Sequence, residues 1–203
     1  MDIIMPEMNG VETTRLTMQM TPCPILIVTS SVNKNSALVF EAMGNGALDA
    51  VNTPVLMGGD ADDAQQLLLR KISMLDLLTK SKIKSNPAIS SHTIKKNPNT
   101  HGTSLVAIGA SSGGPQALAE VLKRLPADFK SAIVIVQHVD SQFSQGLADW
   151  LDQPISLPVR LAIKGDRPEA GNILLAGSDD HLVLTSSGQL EYVEETKAMH
   201  YRP

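Results

Sequence analysis

Two compact aliphatic runs, Leu105-Val106-Ala107-Ile108 and Ile133-Val134-Ile135-Val136, constrain this chain more than any other feature. Each gives way to helical periodicity, Gln116–Leu125 after the first and Phe143–Leu151 after the second. Strand, helix, strand, helix at this spacing implies right-handed βαβ units and a parallel sheet. The first half repeats the pattern. Ile25-Leu26-Ile27-Val28 reads as a buried strand and Asn33 to Asn45 as a helix ending near Gly44 and Gly46. A short strand around Leu48–Val51 and a helix from about Asp60 to Lys80 follow. Beyond Val159 the chain shortens its strands (Val159–Ile163, Ile173–Ala176, His181–Thr185) and punctuates them with glycine. The expected fold class is α/β in both halves.

No acidic residue occurs between Asp76 and Glu120, and Lys84 to Thr103 is rich in Ser, Asn, Thr, Pro and Lys. Such a stretch buries too little apolar surface to offset the entropy of ordering it, so 81–103 is expected to be a flexible linker. The domains expected on either side are 1–80 and 104–203. The net charge of −4 and the scarcity of aromatic residues (one Trp, two Tyr, three Phe) argue against a nucleic-acid surface. No apolar stretch reaches the roughly 18 residues of a membrane span, and no signal pattern opens the chain. The single Cys23 provides neither a disulfide framework nor a Cys-based zinc site. A cytoplasmic protein without membrane insertion or nucleic-acid partner is expected.

Chemistry concentrates at Gly109-Ala110-Ser111-Ser112-Gly113-Gly114-Pro115, where a strand hands over to a helix. A Gly-x-Ser-x-Gly turn there lifts the serine hydroxyl into the crevice at the carboxyl end of the sheet. Free N–H groups at the helix start are able to hold an oxyanion. The same turn is also compatible with a Gly-rich phosphate loop or a plain turn. A serine needs a base. His138, just past the next strand, would reach the same sheet edge. His92 and His101 fall in the linker, whereas His181 and His200 come later, and none has metal-ligand spacing to another histidine.

Gly109 to Gly114, then Val136-Gln137-His138, then Pro168-Glu169-Ala170-Gly171-Asn172-Ile173-Leu174-Leu175-Ala176, together resemble the catalytic domain of CheB-type chemotaxis protein-glutamate methylesterases. The resemblance covers 104–203. It implies Ser111 as nucleophile, His138 as general base, and Ser112 with Gly113 shaping the oxyanion region. The substrate it implies is a glutamate methyl ester on the cytoplasmic domain of a chemoreceptor; some members also deamidate glutamine. No cofactor is implied for that reaction. The family's third catalytic group is an aspartate in a Gly-x-Asp-Gly segment, and none occurs after His138 here, so impaired turnover and a truncated catalytic domain are expected.

Asp2-Ile3-Ile4-Met5-Pro6-Glu7-Met8-Asn9-Gly10 resembles the phosphoacceptor loop of response-regulator receivers, with Thr29 at the switch position. This resemblance implies a remnant of a flavodoxin-like receiver over 1–80, with Asp2 as phosphoacceptor and a chemotaxis histidine kinase as phosphodonor. It implies Mg²⁺ for phosphorylation in the intact protein only. Thr53 stands before Pro54, where receivers carry a phosphate-binding lysine. Two other readings are compatible with the sequence: a catalytically silent signalling or receptor-binding module, and a phosphate- or nucleotide-binding α/β domain. The latter lacks a P-loop Gly-Lys-Ser/Thr.

Overall fold

The computed structural model of the chain describes residues 1–30, 32–54, 61–81 and 104–194. The first half comprises α1 (Gly10–Met20), β1 (Leu26–Thr29), α2 (Val32–Gly44), β2 (Asp49–Asn52) and α3 (Ala61–Ser81). The second half runs β3 (Ser104–Ala110), α4 (Gly114–Leu122), β4 (Ser131–Gln137), α5 (Ser141–Asp152), β5 (Val159–Leu161), β6 (Ile173–Leu175), β7 (His181–Leu184) and β8 (Leu190–Val193). Residues 82–103, which hold most of the expected linker together with His92 and His101, lie outside the described residues, as does His200.

Strands β1 and β2 pair in parallel, Leu26 opposite Asp49. The second half forms a four-stranded parallel sheet in the order β3-β4-β6-β5. Among the described residues β7 and β8 form an antiparallel hairpin rather than extending that sheet. Strand β4 is central and nearly all aliphatic, as a strand covered on both faces must be. Helix α5 presents Phe143, Leu147, Ala148 and Leu151 as one buried stripe, and the Asp140 side chain caps it by accepting from the Gln142 N–H at 3.0 Å.

The core does not stop at the boundary between the halves. Ile3, Val11, Ile27 and Phe40 belong to the same buried cluster as Leu118, Ile135, Leu147 and Ile173. Phe40 of α2 stacks on Trp150 of α5 at 6.2 Å and meets Phe143 edge-on at 6.3 Å. Two elements escape the sequence reading. Helix α1 is fixed by its Asn9 cap, which accepts from the Glu12 N–H at 2.9 Å, and β8 is held from afar through Tyr192.

Candidate active site

Strand β3 ends at Ala110 and α4 begins at Gly114, so Ser111, Ser112 and Gly113 make the whole turn between them. Gly113 adopts φ +78°, the left-handed region that admits glycine most readily. The Gly114 N–H donates to the Ser111 carbonyl at 2.6 Å and closes the turn. Strands β3 and β4 are in parallel register, Ala110 opposite Gln137, and the His138 N–H extends the ladder by donating to the Ala110 carbonyl at 2.8 Å. This register brings the two candidate residues together at the carboxyl edge of the sheet. Ser111 Oγ lies 3.3 Å from His138 Nδ1. With the proton on the other ring nitrogen, Nδ1 accepts from the hydroxyl, the arrangement a serine nucleophile requires.

Gln137 lies beneath this pair. It is buried, and its Nε2 donates both to the Ser111 carbonyl at 2.9 Å and to the His138 carbonyl at 3.2 Å. Its Oε1 is buried without a partner among the described residues, an arrangement that ordinarily costs about 1–3 kcal/mol. Gly114 leaves the space for it. A Cβ there would fall 2.0 Å from Oε1.

The first half reaches directly onto the serine turn. Ser112 Oγ donates to the Asp49 carboxylate at 2.7 Å, and the Gly113 N–H donates to the Leu48 carbonyl at 2.7 Å. Asp49 also pairs with Lys71 of α3 at 2.7 Å, both side chains being largely buried. Burial holds the His138 imidazole below its ordinary pKa; the Lys71 cation pushes in the same direction and the Asp49 carboxylate opposes it. A cavity of about 780 Å³ opens on the serine side, lined by Ser111 and Gly114 of the second half and Met18, Cys23 and Leu48 of the first. A second, of about 320 Å³, is lined by His138, Lys71, Asp140 and Asp179.

The structure places Ser111, His138, Ser112 and Gly113 at one site, but the last two are engaged by Asp49 and Leu48. Asp2 and Thr29 lie elsewhere in the first half. Met1 pairs alongside β1, its amino group donating to the Leu26 carbonyl, which leads Asp2 towards the strand end that bears Thr29. Asp2 is exposed and its Oδ1 accepts from the Ile3 N–H at 2.6 Å. Thr29 is buried, with Asn35 Nδ2 donating to its hydroxyl at 3.2 Å. Among the described residues no group of three or more His, Cys, Asp or Glu side chains is arranged to hold a metal, so the residues around Asp2 do not by themselves fit Mg²⁺. The sequence reading did not assign roles to Asp49, Lys71 or Gln137. Gln137 carried a signal, since an amide ending the run Ile133–Val136 has no reason to be there on apolar grounds.

The family model described as CheB methylesterase matches residues 106–203. Over 100% of its length the chain is 48% identical to a protein of Cupriavidus pinatubonensis and 52% identical to one of Bordetella avium. Both carry the name protein-glutamate methylesterase/protein-glutamine glutaminase 1. The chain spans 58% of the length of each. The crystal structure of the Thermotoga maritima CheB methylesterase catalytic domain is 31% identical, with a TM-score of 0.46 over 50% of this chain and 55% of that one. Residues 106–203, the segment that contains both the serine turn and the histidine, are thus what this chain shares with the CheB methylesterase family.

Proposed function

We propose that the chain acts as a chemotaxis serine hydrolase that demethylates glutamate methyl esters on the cytoplasmic domains of chemoreceptors, with glutamine deamidation as the parallel reaction. The observation that carries this reading is the 3.3 Å approach of Ser111 Oγ to His138 Nδ1 at the ends of neighbouring parallel strands. His138 takes the hydroxyl proton as Ser111 Oγ bonds to the ester carbonyl carbon. The tetrahedral oxyanion collapses, the C–OCH₃ bond breaks, and the imidazolium returns its proton to the leaving methoxide as methanol. Water then adds to the acyl-serine with His138 again as base, releasing the glutamate carboxylate and restoring Ser111.

The Gly113 N–H, which this reading gives to the oxyanion, bonds here to the Leu48 carbonyl. Turnover on this reading therefore requires Leu48 and Asp49 to draw back from the turn. In the intact protein Asp2, exposed at the loop that follows Met1, would be the phosphoacceptor through which the chemotaxis kinase drives that movement.

Methanol release from methylated receptor fragments tests the reading. Turnover is expected to be slow, to vanish in Ser111→Ala, and to be unaltered by acetyl phosphate, because Thr53 offers no cation to a phosphoryl group. Release that persists in Ser111→Ala would overturn the assignment.

A further inference from the structure

Strand β4 is aliphatic from Ala132 to Val136 and then ends in an amide that is 6% exposed. A leucine or methionine would fill that volume without stranding a polar atom. Gln137 strands one, its Oε1 having no partner among the described residues, and the compensation lies on the other side of the amide. A single Nε2 donates to the main-chain carbonyl of Ser111 and to that of His138. These are the two residues whose side chains must meet.

We infer that Gln137 is a positioning residue that holds Ser111 and His138 at their working separation by joining their main-chain carbonyls through one side-chain NH₂. The kinetic consequence rests on the esterase reading above; the geometric one does not. The amide orientation is set by its surroundings, because turning Oε1 towards two carbonyl oxygens would set three acceptors against one another. The Ser111 carbonyl is thereby gripped twice, by the Gly114 N–H of α4 and by Gln137 of β4. Serine turn and histidine loop then move as one body. Gly114 belongs to the same device, since any side chain there would displace the amide. A misplacement of about 1 Å between nucleophile and base is enough to cost a hundredfold in rate.

The test uses the full chain with Gln137→Met, which keeps the length and loses the donor, and Gln137→Glu, which keeps the shape and replaces NH₂ with oxygen. In variants whose circular dichroism remains that of the parent, kcat for methanol release is expected to fall about ten- to a hundredfold with KM unchanged within about twofold. A second readout needs no turnover, namely the NMR titration of the His138 imidazole with and without Ser111→Ala. Ser111→Ala is expected to move the midpoint in the parent and to leave it unmoved in either Gln137 background. A folded Gln137 variant with parental kcat overturns the proposal. So does an equal Ser111→Ala displacement in both backgrounds, or none in the parent. Absence of Ser111-dependent turnover in the parent would instead remove the esterase reading, and the titration would still decide the role of Gln137.

Discussion

The surroundings of the His138 imidazole favour its neutral form. Its proton is disfavoured first by burial and then by the Lys71 cation, with Asp49 acting against both. On the proposed esterase reading the neutral imidazole is the working form, so the rate would be present above the folded-state pKa and lost as pH falls through it. The acid limb of kcat/KM is expected to lie below the roughly 6.5 of an unperturbed histidine. Lys71→Met removes a cation that opposes protonation and leaves Asp49 unneutralised, so it is expected to move that limb upward. A pH–rate profile of the two proteins checks it, and a downward displacement would contradict the electrostatic account. Ser111 and His138 were legible in the sequence because each follows its own strand by a residue or two. Lys71 and Asp49 were not, because they arrive from the other half of the chain and no local pattern links them to a histidine.

Helices α2 and α5 meet where Gly146 faces Ser36. A Cβ at Gly146 would lie 2.7 Å from Ser36 Cβ and 3.3 Å from the Phe40 ring. Alanine is the better helix former by about 1 kcal/mol, yet here it would push two packed helices apart. Gly146→Ala is therefore expected to lower stability by about 1–3 kcal/mol, and Ser36→Gly to recover part of the loss in the double variant. Urea unfolding of the four proteins measures this, and a stabilised single variant would show the contact to be loose. The apolar strands and the helices α2 to α5 were legible within a few residues of their bounds. Helix α1 was not, because Thr13, Thr14 and Thr17 weaken its propensity and no apolar stripe marks it. Strand β8 was missed for a different reason. It is short, and its anchor is the Tyr192 hydroxyl, which donates to the Ala162 carbonyl at 2.9 Å and accepts from the Gly177 N–H at 2.9 Å.

Across the described residues, the two halves share one buried cluster, and Phe40 joins them there through its ring contacts with Phe143 and Trp150. The sequence marks a boundary through its acid-free stretch, but complementary faces on α2 and α5 leave no pattern until both are folded. Truncating a fully buried phenylalanine costs about 3–5 kcal/mol. Phe40→Ala is expected to lower the stability of the whole chain by that amount, with Trp150 fluorescence and circular dichroism losing signal in one coincident transition. Trp150 is the chain's single tryptophan and stacks on Phe40, so its emission reports the junction itself. Unfolding of one half with unaltered Trp150 emission would show that the halves are energetically separate.

The bond from the Gly113 N–H to the Leu48 carbonyl makes the serine turn a contested seat. On the proposed esterase reading, a tetrahedral boronate or phosphonate on Ser111 and the Leu48 carbonyl would compete for one proton donor. The apparent affinity of such an analogue is reduced by the fraction of molecules in which the seat is vacant. By reciprocity, filling the seat weakens the grip of Leu48 and Asp49 on the turn by the same factor that their grip weakens the analogue. A transition-state mimic is thus also a wedge, and the tightness of its binding gauges how firmly the first half holds on.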